Sequence, residues 1–178
     1  MLNDLESVMF DEKALAKRVS ELGQEISKDY KGKDVLMVGI MKGAVVFFSD
    51  LIRQVNLPLG IDFIIASSYG DGTESSGSVN IKKDLENDIK GKHVILVEDI
   101  IDSGITMKHL MEILWKREPA SIRLCALLSK ESRRQVPVKI DYCGFDVPDE
   151  FLVGYGLDYA EKYRNLPVIG VLKREIYM

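Results

Sequence analysis

Three carboxylates occur within five residues in the middle of the sequence, and two hydroxyl side chains follow them. The acids are Glu98, Asp99 and Asp102, and the hydroxyls belong to the segment Ser103-Gly104-Ile105-Thr106. Carboxylates accept hydrogen bonds from sugar hydroxyls and bind hard cations such as Mg²⁺. Hydroxyl groups and free backbone amides bind phosphate instead. The two kinds of group side by side therefore predict a site for a phosphorylated sugar together with Mg²⁺.

The residues on either side predict that this segment joins a buried strand to a helix. Residues 94–97 form an unbroken apolar run, which is typical of a strand buried on both faces of a parallel sheet. The phosphate-binding groups would then lie at a helix N-terminus, where free N–H groups and the helix dipole attract anions, and Gly104 would let the backbone approach the anion. Ligands of open α/β sheets bind at this edge, beyond the carboxyl ends of the strands. Apolar residues recur after the segment at helical spacing, at Met107, Leu110, Met111 and Leu114.

Other interpretations of this segment have less support. An ordinary turn with solvated acids would explain a single carboxylate, but three acids followed by Ser-Gly-x-Thr favour a functional site. The segment has neither the GxGxxG pattern of dinucleotide sites nor the GxxxxGK[ST] pattern of P-loops. A receiver-like signalling module also needs an acidic cluster, but it gives no reason for Ser-Gly-x-Thr at the start of the helix.

The ten residues 97–106, Val-Glu-Asp-Ile-Ile-Asp-Ser-Gly-Ile-Thr, resemble the phosphoribosyl-pyrophosphate (PRPP) motif of type I phosphoribosyltransferases. The double acid followed by Ile-Ile-Asp-Ser-Gly is similar to the hypoxanthine-guanine branch of that family, and the resemblance extends over about residues 35–172. It implies a single domain over residues 1–178, of α/β class, with a mostly parallel sheet and helices on both faces. It also implies a small hood subdomain, formed by the N-terminal segment and residues 145–178.

The resemblance implies a reaction and a set of residues that bind PRPP. The reaction would be the transfer of 5-phosphoribosyl from PRPP to N9 of hypoxanthine or guanine, in purine salvage, giving IMP or GMP plus pyrophosphate. Asp102 would be the catalytic general base toward the purine N7. The residues of the PRPP site would be Asp102, Ser103, Gly104, Ile105 and Thr106, and the carboxylates facing Mg²⁺ would be Glu98, Asp99 and Asp158.

Other segments would bind pyrophosphate under the same resemblance. Lys42 and Gly43 follow an apolar strand at residues 35–40 and precede a helix from about residue 44 to residue 53. With Arg164 they would hold pyrophosphate, and the peptide bond before the lysine can be cis in this family. Taken alone, Lys42 would be interpreted as a surface lysine in a tight turn.

A long loop and the second half of the chain would complete the site. Residues 68–81 are rich in Gly and Ser, and Ser68-Tyr69 resembles the start of a mobile catalytic lid. A disordered loop without a role is the alternative. Lys130 follows a predicted strand at residues 121–128 and would read the purine 6-oxo group, which excludes adenine. The other purine-binding residues would be Phe151, which stacks on the base, Leu152 and Asp158.

Further elements are predicted from periodicity. Residues 10–30 form an amphipathic helix that Asp11 caps, and the remaining strands are predicted at residues 60–67, 138–145 and 168–172. Cys125 and Cys143 lie in apolar stretches and are expected to be free thiols. Neither His93 nor His109 has neighbours at the spacing of metal ligands.

Composition limits the classes of function. The chain has 178 residues, 46% of them hydrophobic and 29% charged, as in a globular protein with a core. The net charge of −4 argues against non-specific nucleic-acid binding, and no apolar run is long enough to span a membrane. The N-terminus lacks the pattern of a signal peptide, so the cytoplasm is expected. The expected partners are PRPP and oxopurine bases, in a homodimer or homotetramer. A xanthine-preferring transferase and an RNA-binding regulator that keeps the PRPP site are the alternatives.

Overall fold

The computed structural model describes residues 1–68 and 79–178, in which nine strands and four α-helices form the fold. Two short 3-10 turns, Leu2–Asp4 and Glu131–Arg133, complete these elements. In chain order the strands are Leu5–Phe10 (β1), Val35–Ile40 (β2), Gly60–Ser68 (β3), Val79–Lys83 (β4), His93–Ile101 (β5), Ser121–Ser129 (β6), Tyr142–Asp146 (β7), Leu152–Val153 (β8) and Ile169–Leu172 (β9), and the helices are Glu12–Asp29 (α1), Val45–Gln54 (α2), Ile105–Trp115 (α3) and Arg174–Tyr177 (α4).

The larger of two sheets carries the predicted functional segment. Its strand order is β4-β3-β2-β5-β6-β7, and only β4 runs antiparallel to its neighbour among the described strands of this sheet. The prediction of a mostly parallel sheet is therefore confirmed. The central strand, β5, lies between β2 and β6, so its carboxyl end opens at the middle of the sheet edge where ligands of such folds bind.

The central strand is buried on both faces, as its unbroken apolar run predicts. Ile95 and Val97 pack into a core cluster with residues of α1 and α2. Val94 and Leu96 point the other way and pack with Met107, Leu110 and Leu114 of α3. Because successive side chains of a strand alternate between faces, one short run supplies both cores. The prediction of helices on both faces of the sheet is confirmed.

The predicted end of the central strand is wrong. The sequence suggests that the strand stops at Val97 and that the acids lie in a turn, but β5 continues to Ile101. Its pairing with β6 explains the difference, because Glu98 lies opposite Ala126 and Ile101 lies opposite Ser129 in the parallel ladder. Two of the three acids therefore sit on a rigid strand, and the turn consists of residues 102–104.

The structure also differs from the prediction at the ends of other elements. The first helix begins at Glu12, and Phe10 belongs to β1, although Asp11 caps the helix as expected by accepting a hydrogen bond from the Ala14 amide at 2.8 Å. The edge strand predicted over residues 138–145 begins only at Tyr142. The predicted loop over residues 68–81 is too long at its C-terminal end, because residues 79–81 pair with β3 in β4. Tyr69 and the rest of that loop, residues 70–78, lie outside the described residues.

A second, smaller sheet joins the two ends of the chain. Its strand order is β1-β9-β8, all antiparallel, and Leu5 lies opposite Leu172. Leu5, Val153 and Leu172 belong to its own small core. This sheet brings the N-terminal segment and residues 152–172 together beside the edge of the large sheet.

In the described part of the chain, none of the helices combines the length and the apolar character needed to cross a membrane.

Candidate active site

The turn between β5 and α3 forms the floor of the site. Gly104 precedes α3 with a φ of 82°, a conformation that L side chains rarely adopt. A methyl group there would also lie only 2.9 Å from Cγ2 of Val138 and 3.0 Å from Cδ of Arg134. Glycine is therefore required both for the backbone conformation and for the space. The first amides of α3 have no acceptor within the helix, so they can face a ligand.

A cavity of about 340 Å³ opens above this turn. It contains most of the predicted PRPP-site and metal-site residues, and Ala66 of β3 contributes to its wall. Two predicted residues, Ile105 and Asp158, are not part of this lining. The backbone amide of Ile105 donates to the Ser103 hydroxyl at 3.4 Å. The predicted residues in the lining are Glu98, Asp99, Asp102, Ser103, Gly104 and Thr106.

A second cavity, of about 240 Å³, adjoins the first. It shares Asp99, Ile100 and Asp102 with the first cavity, so the two compartments meet at these residues. The strand β8 and the residues on either side of it supply its other wall. The structure thus brings together all four residues predicted for the purine, which are Lys130, Phe151, Leu152 and Asp158.

The Glu98 carboxyl is held in an unfavourable environment for a charge. Burial raises the pKa of Glu98 well above its usual range, and the neighbouring Asp99 carboxylate raises it further. In residues 1–68 and 79–178, no cationic side chain forms an ion pair with either acid. Two adjacent acids without a cation provide oxygen ligands for a positive ion at the cavity wall.

The described residues fit a metal that arrives with a phosphorylated substrate. Among residues 1–68 and 79–178, no group of three His, Cys, Asp or Glu side chains could hold a metal ion by itself. Mg²⁺ commonly binds proteins through one or two carboxylates and completes its coordination with water and substrate phosphates. The Glu98-Asp99 pair beside the turn between β5 and α3 has this character. Asp158 is engaged differently, since its Oδ1 lies 2.8 Å from Nη2 of Arg164.

Lys130 and Phe151 line the second cavity, and contacts with neighbouring residues fix the position of each. The Lys130 side chain is only 12% exposed, and its ammonium lies 3.7 Å from Oδ1 of Asp149, too far for a hydrogen bond. The Lys130 amide donates to the Ile101 carbonyl at 2.9 Å, which ties this residue to the end of β5. Phe151 stacks on Tyr177 with ring centroids 4.6 Å apart, so one face of the Phe151 ring is already covered.

None of the three residues predicted for pyrophosphate lines either cavity, although Gly43 lies against Asp99. Nζ of Lys42 lies 2.8 Å from Oε2 of Glu161, and the Met41–Lys42 peptide is cis. A methyl group on Gly43 would overlap the Asp99 carboxylate, so this loop touches the cavity wall. Arg164 donates to the Gly156 carbonyl at 2.8 Å and lines a separate cavity together with Asp50.

Sequence reasoning missed two arginines that follow Lys130. Arg134 donates from Nε to the Asp102 carbonyl at 3.0 Å and from Nη2 to the Ile101 carbonyl at 3.3 Å. Nε of Arg133 lies 3.0 Å from Oδ1 of Asp102. The available signal was a pair of adjacent arginines, three and four residues after the lysine predicted to read the base. Cys125 and Cys143 are free thiols away from this site.

Comparison with known proteins agrees with this geometry. A family model described as the phosphoribosyl transferase domain matches residues 8–160. The bifunctional protein TilS/HprT of Listeria monocytogenes is 49% identical over 99% of this chain, which spans only 27% of that protein's length. The hypoxanthine-guanine phosphoribosyltransferase of Bacillus subtilis is 48% identical, with coverage of 99% of this chain and 98% of that protein.

A solved structure matches the whole fold. The hypoxanthine phosphoribosyltransferase of Staphylococcus aureus superimposes with a TM-score of 0.97 and 47% identity, over 100% of this chain and 97% of that one. The resemblance inferred from the PRPP motif is therefore confirmed. With a family model over most of its length, and with the motif's acids, hydroxyls and glycine gathered around one cavity, this chain belongs to the phosphoribosyltransferase family.

Proposed function

We propose that this chain is an enzyme of purine salvage that transfers the 5-phosphoribosyl group from PRPP to N9 of hypoxanthine or guanine, forming IMP or GMP and releasing pyrophosphate. One observation carries the proposal. The cavity of the PRPP motif and the cavity of the base-binding residues meet at Asp99, Ile100 and Asp102. A sugar in the first compartment and a purine in the second would have their reacting atoms at this junction, and proximity of this kind lowers the barrier to a two-substrate reaction.

The phosphoribosyl group would be bound by the turn before α3. Ser103, Gly104, Ile105 and Thr106 would receive the 5′-phosphate through backbone amides and hydroxyls at the N-terminus of an eleven-residue helix. The hydroxyl of Ser103 and that of Thr106 would supply side-chain donors.

The purine would be oriented by three contacts. Lys130 would donate to the 6-oxo oxygen, Phe151 would stack on the ring, and the backbone of Leu152 would meet the base edge. Asp102 would accept the N7 proton as general base, since it borders both compartments. The small sheet that carries Leu152 would be the hood over the base.

Pyrophosphate would leave toward Lys42, Gly43 and Arg164. Gly43 lies against Asp99, and Lys42 and Arg164 both contact Glu161. Ser68 ends β3 and, with Tyr69, would begin a lid over the reacting atoms. A lid excludes water from a reactive sugar intermediate.

We propose Mg²⁺ as the cofactor, held by Glu98 and Asp99 together with the phosphates and hydroxyls of PRPP, with Asp158 near a second ion. When bound, Mg²⁺ neutralises charge on the departing pyrophosphate. The test is PRPP affinity, measured by calorimetry in Mg²⁺, for the double variant Glu98→Ala and Asp99→Ala. We expect weaker binding with an intact fold, and unchanged affinity would contradict the metal site.

The decisive experiment is steady-state turnover with PRPP, Mg²⁺ and each of hypoxanthine, guanine, xanthine and adenine. We expect hypoxanthine and guanine to turn over and adenine to react very poorly. Preference for xanthine would assign the chain to the related xanthine transferases. Absence of turnover with any base, together with a mobility shift of RNA, would favour the RNA-binding regulator instead.

We also propose that the protein works in the cytoplasm as a homodimer or homotetramer. Free thiols at Cys125 and Cys143 suit a reducing compartment. Val45, Ile61 and Trp115 are large apolar side chains that the single chain leaves exposed. Light scattering coupled to gel filtration measures the assembly, and a monomeric mass at micromolar concentration would contradict it.

A further inference from the structure

Arg133 lies directly behind the proposed general base. Its Nε is 3.0 Å from Oδ1 of Asp102, an ion pair without the alignment of a hydrogen bond. That oxygen has no exposed surface, although the Asp102 side chain as a whole is 45% exposed. Arg133 therefore covers one carboxylate oxygen and leaves the other, Oδ2, as the oxygen that a purine can reach.

The two adjacent arginines hold different parts of the same residue. Arg134 donates to the backbone carbonyls of Asp102 and Ile101 and to the hydroxyl of Ser129, so it fixes the path of the turn. The Arg133 side chain contacts the carboxylate of Asp102 and, unlike Arg134, forms no hydrogen bond with a backbone carbonyl of the turn. Loss of Arg133 would leave the backbone of the PRPP turn in place.

Arg133 also contacts Asp149, whose carboxylate lies near the ammonium of Lys130. Its Nη1 lies 3.4 Å from both carboxylate oxygens of Asp149, and Oδ1 of Asp149 is 3.7 Å from Nζ of Lys130. Asp102 and Asp149 together raise the pKa of Arg133, as expected for a cation between two acids. Asp149 is thus shared between two cations, and Arg133 competes with Lys130 for it.

We propose that Arg133 is a positioning residue for the transfer reaction, which orients Asp102 toward the purine N7 and draws Asp149 away from Lys130 so that the lysine can donate to the 6-oxo group. The inference rests on the proposed function. It assigns two separable effects to one side chain. The first acts on the proton-accepting oxygen and so on kcat, and the second acts on the lysine and so on the KM for the purine.

The test compares steady-state constants of Arg133→Gln with those of the wild-type protein. We expect kcat to fall by about tenfold or more, because small errors in position are costly in catalysis. The KM for hypoxanthine should rise by about threefold or more, while the KM for PRPP stays within about twofold, since the turn itself is intact. Arg133→Lys, which keeps the charge, should recover part of kcat.

A second variant separates the two effects. In the single variant Arg133→Gln, Asp149 would lose its arginine partner and pair with Lys130 instead. The double variant of Arg133→Gln and Asp149→Asn removes this carboxylate, so the KM for hypoxanthine should return toward the wild-type value while kcat stays low. Arg117→Gln is the matched control. Arg117 also binds a carboxylate, since it donates two hydrogen bonds of 2.8 Å to Asp84, and it lies at the opposite end of α3. It should leave both constants unchanged.

Two results would overturn the inference. One is a kcat of Arg133→Gln within twofold of the wild-type value, and the other is a rise in the KM for PRPP that parallels a loss of thermal stability, as a merely structural role would give. Failure of the double variant to restore the purine KM would remove the link to Lys130. If the wild-type protein itself does not turn over oxopurines, the proposed function is wrong. The results above concern only the role of Arg133, because they require a wild-type protein that is active.

Discussion

Replacing Lys130 by Gln tests the recognition of the purine most directly. The Lys130 side chain is 12% exposed and its ammonium is 3.7 Å from the nearest oxygen of Asp149, so the protein leaves the lysine's donors largely available to a ligand. A hydrogen bond from a charged donor contributes about 1.5–3 kcal/mol. At about 1.4 kcal/mol per factor of ten, its loss corresponds to a fall of about 10- to 150-fold in kcat/KM for an oxopurine.

Adenine should behave in the opposite way. Its 6-amino group offers no acceptor to Lys130, so the wild-type protein should use it very poorly. The amide of the introduced glutamine can present either a donor or an acceptor, so the variant should narrow the gap between hypoxanthine and adenine, mainly by losing hypoxanthine. Steady-state kcat/KM for hypoxanthine, guanine and adenine at saturating PRPP measures both effects.

The control for this variant is Lys17→Gln. The Lys17 side chain is 80% exposed on α1 and 4.0 Å from Glu21, so its loss removes the same charge without touching either cavity. It should leave all three values unchanged. A Lys130→Gln variant whose ratio of hypoxanthine to adenine equals that of the wild-type protein would refute the assignment of Lys130, although the PRPP site could still stand.

Three further predictions concern the acids around the site. Asp102→Asn should lower kcat by about 10²–10⁴-fold, because the amide cannot accept the proton. PRPP affinity should change little, because the backbone of the turn is unchanged. A fall in kcat of less than tenfold, with chemistry rate-limiting, would show that Asp102 is not the general base. Burial raises the pKa of Glu98 in the folded state, so the charged form of this group destabilises the fold as the pH rises. Glu98→Gln should therefore raise the melting temperature of the ligand-free protein at pH 8 and have little effect near pH 4. A gain in melting temperature that is independent of pH would contradict this reasoning. Glu161 pairs with Lys42 at 2.8 Å and with Arg164 at 3.4 Å, so Glu161→Gln should tighten pyrophosphate binding by about two- to fivefold in calorimetry. Unchanged affinity would show that Glu161 does not compete with pyrophosphate for these two cations.

Features whose causes are local in the chain could be predicted from the sequence. The apolar run at residues 94–97, the acids after it and the helical spacing of Met107, Leu110 and Leu114 predict a strand, a turn and a helix, and the structure contains them in this order. The helix cap at Asp11 is predictable because capping depends on neighbouring residues. The PRPP motif is recognisable for the same reason, since its acids and hydroxyls lie within ten consecutive residues.

Boundaries that depend on a partner strand could not be predicted in this way. Strand β5 extends to Ile101 because β6 continues to pair with it, and an acidic pair gives no local sign of a strand. Residues 5–10 form a strand because β9, from the other end of the chain, supplies its hydrogen bonds. In both cases the tertiary pairing decides the local structure.

The sequence by itself determined the chemical groups of the site, the order of its elements and the family. Only the tertiary structure decided how the charges are paired. Lys42 meets Glu161 across 119 positions, and Arg133 reaches both Asp102 and Asp149. Ion pairs of this kind have no periodicity, because they depend on which loops the packed strands bring to one edge of the sheet. The arrangement that leaves one oxygen of Asp102 accessible is therefore a property of the fold.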